Sequence, residues 1–250
     1  MTAEPKQAIF RFYAELNDFL PSKYKQKDIT YSFWGSPTVK DAIEALGVPH
    51  TEVDLILANN KSIDFHYNLN HNDRIAVYPV FERLDISQLQ RLHLYPLRQT
   101  QFIVDTNLGK LARNLRLLGF DTLYENTYTD IEIIRIAEEE KRLILTRDIA
   151  LLKNGRVSRG YWVRATNPDN QIKEILNKFD LLNQIKPFSR CLICNHKLAK
   201  ISKAEILHQI HPKTRQHFNE FYRCKKCDQI YWPGSHYQRM QKMIKKWLKQ

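Results

Sequence analysis

All four cysteines of this 250-residue chain fall into two Cys-x-x-Cys pairs, Cys191/Cys194 and Cys224/Cys227. Each pair turns two sulfurs toward one point, and two such knuckles complete a tetrahedral four-thiolate shell, the usual structural zinc arrangement. Residues 187–250 are therefore expected to fold around one Zn²⁺ as a ribbon, with a β-hairpin excursion between the knuckles and a basic helix from about Tyr237. So short a module has little core, so it should lose its fold without the ion while the rest of the chain stays intact. A disulfide framework would need an oxidising compartment. The opening segment MTAEPKQAIFRF has no apolar centre of an export signal, which points to the cytoplasm. A redox Cys-x-x-Cys and an iron–sulfur cluster are the alternatives.

Upstream, residues 1–83 read as a mixed domain. The strand-like runs AIFRFYAEL and ITYSFWG precede a change of period at TVKDAIEALG. There Val39, Ala42, Ile43 and Leu46 share a helical face, Thr38 sits as the cap, and Gly47 and Pro49 end the helix. DLILA, a turn at Asn59-Asn60 and RIAVYPVF complete a strand, strand, helix, strands order, a β-grasp pattern. His50, His66 and His71 have no ligand-like spacing and read as surface or turn residues. Residues 84–100 have mixed polarity without period and read as a connector.

From 101 to 186 strands alternate with helices of a dozen residues, the signature of a doubly wound parallel sheet. The fold class is α/β. Asp105 directly follows the apolar strand FIV, Asp148 comes just after LILT, and Asp130 opens the helix TDIEIIRIAEEEK. Ligands bind at the carboxyl ends of parallel strands, where such acids converge. Clustered carboxylates repel unless a cation neutralises them, and oxygen donors suit Mg²⁺ or Mn²⁺. Asp130 also has a plain reading as a helix-dipole partner and Asp148 as a cap, whereas a buried Asp105 has no such explanation. Lys110, Arg113 and Arg116 recur along the helix after Asp105, and Arg147 precedes Asp148. Beside acids they suit a polyanion, as does the surplus of 39 Lys and Arg over 27 Asp and Glu. No run approaches a membrane-spanning length.

The segments TVKDAIEALGVPHTEVDLILANN and NDRIAVYPVF resemble the ubiquitin-like sulfur carriers, especially the small subunit of molybdopterin synthase. Those carriers act through a free Gly-Gly tail, but here the last strand runs on into PVFERLDISQ, so a binding or spacer role is expected, with no partner assigned.

The segments FIVDTNLGKLARNLRLLGFDTLYEN, TDIEIIRIAEEEKRLILTRD and YWPGSHYQRM, with the paired cysteines, resemble the PIN-like ribonuclease family named for the carboxy-terminal domain of the Mut-seven exonuclease. The resemblance implies RNA as substrate, a ubiquitin-like domain in front, and an acidic metal site at Asp105, Asp130 and Asp148. The expected activity is metal-dependent hydrolysis of RNA phosphodiesters. A non-catalytic RNA-binding or ribosome-associated adaptor is the alternative.

Overall fold

The computed structural model describes residues 4–79 and 100–249, so most of the connector expected over 84–100 lies outside the described residues. Contacts divide the chain into two compact units, residues 1–99 with 148–162 and residues 100–147 with 163–250.

In the first unit β1 (Lys6–Phe12), β2 (Ile29–Phe33), α1 (Val39–Ala45), β3 (Val53–Ala58), β4 (Lys61–Ile63) and β5 (Arg74–Pro79) follow in chain order. The sheet order is β2-β1-β5-β3-β4, with β1 parallel to β5 and its other pairings antiparallel. That is the β-grasp arrangement. Helix α1 starts where expected because Thr38 and Asp41 form a reciprocal capping box, which satisfies two otherwise orphaned amides. Asn59 and Asn60 turn the β3–β4 hairpin in the left-handed region, at φ 48° and 66°, a conformation their short polar side chains tolerate. Phe10, Phe12, Ile43, Ile56, Ile75 and Val77 lie in one buried cluster.

The second unit begins with β6 (Gln101–Val104), α2 (Gly109–Leu117), β7 (Asp121–Leu123), α3 (Asp130–Glu140) and β8 (Leu143–Thr146). Strand β6 pairs in parallel with both β7 and β8. Phe102, Ile103, Val104, Ile144 and Leu145 are all buried, as expected of strands covered on both faces. Gly119 ends the α2 turn at φ 94°, and a Cβ there would meet the Lys186 carbonyl oxygen, so glycine is required. Helix α4 (Ile149–Leu152) and strand β9 (Gly160–Trp162) belong to the first unit. The second resumes with α5 (Pro168–Lys178), β10 (Leu198–Ile201), α6 (Pro212–His217), β11 (Phe221–Cys224), β12 (Ile230–Tyr231) and α7 (Ser235–Leu248). β10, β11 and β12 form an antiparallel sheet. The excursion between the knuckles is thus a strand pair interrupted by helical turns.

Within the first unit, residues 148–162 are held by a short stretch of the β-grasp fold. His50 Nε2 meets the Val157 carbonyl at 2.8 Å, Lys153 Nζ donates to the Glu44 carbonyl at 2.8 Å, and Glu52 accepts from the Trp162 amide. His50 is 5% exposed, which corrects its reading as a surface residue: a carbonyl 107 residues away buries it.

Candidate functional site

The two knuckles are built alike. Cys191 and Cys224 donate their amides to the carbonyls of His196 and Gln229 and accept, on their own carbonyls, the amides of Asn195 and Asp228. Asn195 and Asp228 both lie in the left-handed region, at φ 68° and 58°. Each loop is thereby closed so that both sulfurs face inward. All four sulfurs lie within 4.8 Å of one another, with Cys191–Cys227 at 3.5 Å and Cys194–Cys224 at 3.3 Å. A tetrahedral shell with Zn–S bonds of about 2.3 Å has sulfur–sulfur edges of about 3.8 Å, so the group needs little adjustment to hold an ion.

Electrostatics favour the same conclusion. Burial pushes the Cys191 thiol up, but hydrogen bonds from the Tyr231 hydroxyl and the amides of Cys194 and Ile193 outweigh it and bring it down to about 7. Cys194 is pushed up to about 12 by burial, reinforced by the neighbouring sulfurs. Thiols bind a metal as thiolates, and a cation at their centre neutralises charges gathered this closely. Tyr231 also accepts the Leu192 amide at 3.1 Å, so it packs into the knuckle.

The first knuckle is tied into the parallel sheet. Arg116, on α2, is 4% exposed. Its guanidinium donates to the carbonyls of Thr122 (2.9 Å), Tyr124 (3.2 Å), Leu192 (3.3 Å) and Ile193 (2.6 Å). Burial lowers its pKa, opposed by Glu125 and the nearby sulfurs. Asn195 accepts the Thr122 amide at 3.0 Å and donates to Asp121 at 2.8 Å, covering the outer edge of β7. Asp121 also pairs with Arg142 at 2.7 Å and Arg190 at 3.0 Å. Burial alone would raise that carboxyl, but Arg142 and Asn195 hold it below the usual range.

At the carboxyl ends of the parallel strands, Asp105 follows β6 and is 6% exposed. Its oxygens accept from the hydroxyls of Thr146 (2.7 Å) and Thr106 (3.2 Å). Among the described residues it has no cationic partner. Thr146, the last residue of β8, is the contact that sequence reasoning missed. A threonine ending a parallel strand beside an acid-tipped strand was the available signal. Asp130 is exposed at the first position of α3, behind a capping box in which Thr129 and Glu132 satisfy each other. Asp148 is exposed and caps α4 by accepting the Ala150 amide at 2.7 Å. Lys110 and Arg113 are exposed on α2. Arg147 is exposed but lays one nitrogen across the carbonyls of Val163, Arg164 and Ala165.

The second unit thus joins a parallel α/β layer, with a buried acid at the carboxyl end of β6, to a four-cysteine centre. Comparison with known families is specific: the Mut7-C RNAse domain model matches residues 100–244 and the Mut7-C ubiquitin model matches residues 5–85. The chain belongs to the Mut7-C RNAse domain family, with a ubiquitin-like domain in front. No curated protein and no solved structure matches it. No helix among the described residues is long and apolar enough to cross a membrane.

Proposed function

We propose that the protein is a metal-dependent ribonuclease, acting in the cytoplasm, in which Asp105, Asp130 and Asp148 hold Mg²⁺ or Mn²⁺ and the four cysteines hold a structural Zn²⁺. The observation that carries this reading is Asp105: a buried carboxylate met only by two hydroxyls among the described residues. The two hydroxyls leave acceptor positions on that carboxylate open to a cation. Oxygen donors are what a hard divalent ion takes. The ion, when bound, supplies a lowered pKa for the attacking water and neutralises charge developing on the phosphate.

The chain's own residues do the rest. The Thr146 and Thr106 hydroxyls fix the orientation of Asp105. Lys110 and Arg113 extend into solvent where a phosphate backbone approaches. Arg147, exposed beside Asp148, contributes positive field, whereas Arg116 is corrected from its expected place facing the polyanion: it is 4% exposed and its guanidinium is spent on four carbonyls. In the reaction the water oxygen bonds to phosphorus, the bond from phosphorus to the leaving ribose oxygen breaks, and a proton ends on that oxygen. The test is incubation of the zinc-loaded protein with labelled structured and unstructured RNAs in divalent-free buffer, then with Mn²⁺ or Mg²⁺ added. Cleavage that appears only on addition supports the enzyme. Binding without cleavage across the panel favours the adaptor.

A further inference from the structure

Residues 187–250 contain 14 Lys and Arg against three Asp and Glu, a surplus of 11, in a chain whose whole surplus is 12. The positive charge of this protein is therefore not spread over it but belongs to the cysteine module and α7. Within α7 it is ordered. Tyr237, Met240, Ile244 and Trp247 recur at intervals of three and four and form the inward side. Tyr237 packs on Phe188 with ring centroids 4.2 Å apart and the rings tilted by 35°, and Ile244 and Trp247 are buried. Near the other end of the helix, Trp247 Nε1 and Lys246 Nζ both bond the Asp169 carboxylate, at 2.9 and 2.7 Å. The helix is thus held near both ends.

That anchoring leaves Lys242 and Lys245 on the opposite side, followed at the C-cap by Lys249, whose amide still bonds the Lys245 carbonyl, with Arg239 flanking them. All four are exposed, and none has a carboxylate partner among the described residues. At 1.5 Å per residue the three lysines form a row about 10 Å long. Like charges in line along one side of a helix and its C-cap repel one another, an arrangement that a polyanion relieves.

We infer that the outer face of α7 is a phosphate-backbone binding track for single-stranded RNA, carried by Lys242, Lys245 and Lys249. This rests on the ribonuclease reading for the choice of RNA. An acidic lipid surface offers the same charge, but a membrane-binding amphipathic helix inserts its apolar side. Here that side is occupied by Phe188 and the α5 end of the unit. The track reads no bases, because lysine contacts to phosphate position a strand without specifying its sequence.

The experiment compares the full-length, zinc-loaded protein with the triple variant Lys242→Gln, Lys245→Gln, Lys249→Gln. Glutamine keeps good helix propensity, and the sites are exposed, so the fold should persist. Binding of a labelled poly(U) oligoribonucleotide is measured without Mg²⁺ or Mn²⁺ across a salt series. Three single-strand phosphate contacts contribute a salt slope of about 2 and, at about 0.15 M salt, about 50-fold in affinity. The expected result is loss of both in the glutamine variant and retention of both in the matching triple arginine variant. Unchanged poly(U) affinity and slope in the glutamine variant would overturn the inference. So would wild-type binding to phosphatidylserine vesicles as tight as to poly(U) and abolished by the same three changes. Cleavage is scored separately on wild type with Mn²⁺, so failure of the enzyme reading and failure of the track give different patterns.

Discussion

Replacing Arg116 by methionine should unsettle the metal centre and the parallel sheet together. The guanidinium reaches two carbonyls of the first knuckle, Leu192 and Ile193, and two that belong to β7 and the residue after it, Thr122 and Tyr124. Hydrogen bonds to a charged donor contribute about 1.5–3 kcal/mol each, and the two shortest, to Ile193 and Thr122, should dominate. Methionine fills much of the volume and removes the cost of burying a charge, which offsets part of the loss. A net destabilisation of about 3 kcal/mol is expected, a large share of a typical 5–15 kcal/mol stability. At about 3–4 °C per kcal/mol for a unit of this size, that lowers the melting temperature by about 10 °C. Zinc affinity should fall about 10–100-fold, as it does when groups supporting metal ligands are lost. Differential scanning calorimetry and competition with a chromogenic zinc chelator measure the two effects. A variant that melts within about 2 °C of wild type, which is well under 1 kcal/mol, and holds zinc equally tightly would refute the coupling. The cysteine module would then be the independent ribbon that sequence alone suggests.

Three further outcomes follow from particular contacts. Cys227→Ser should leave less than one equivalent of bound zinc by elemental analysis and, through the Arg116 and Asn195 contacts, lower the melting temperature of the parallel unit as well. Burial, with Lys40 nearby, lowers the His50 pKa against the opposing pull of Val157 and Glu44. The unfolded state therefore binds the proton more readily, so the stability of the first unit is full above about pH 6.5 and declines as pH falls through that value toward the folded one. His50→Gln should flatten that decline in pH-dependent melting. The Asp169 carboxyl is held below its usual range by hydrogen bonds from Lys246 and Trp247. Its hold on α7 is complete above the ordinary carboxylate range and is lost as pH falls through the folded value. Trp247 fluorescence should report undocking at that acid end in wild type, and already at neutral pH in Asp169→Ala.

What was legible in the sequence is what neighbours in sequence determine. Thr38 with Asp41 and Thr129 with Glu132 close their capping boxes three residues apart, and both helices begin where those pairs place them. The knuckles are legible for the same reason, since Cys-x-x-Cys fixes its own loop. The acid-tipped β6 was also visible, because an apolar run ending in Asp marks a strand end wherever the run packs. What was hidden depends on distant partners. Arg116 sits at helical spacing with Lys110 and Arg113, yet carbonyls 76 and 77 residues later draw it inside. No local pattern distinguishes it from its solvated neighbours. His50 is buried by residue 157 in the same way. The Thr146 hydroxyl on Asp105 requires β6 and β8 to be adjacent and in register, which the structure supplies through the Val104–Leu145 pairing.

If a divalent ion held at Asp105 drives RNA cleavage, Asp105→Asn should abolish it. Asparagine keeps the size and the hydroxyl partners of the side chain but removes the charge that the ion requires. Cleavage of a labelled RNA by wild type and variant is followed with added Mn²⁺, and RNA binding is measured on the same preparations with zinc retained. The expected result is cleavage by wild type and a loss of at least about 10³-fold in the variant, consistent with removal of a group that stabilises charge in the transition state, with binding equal or tighter because a nearby anion is gone. Undiminished cleavage by Asp105→Asn, or none by wild type with either metal, would contradict it.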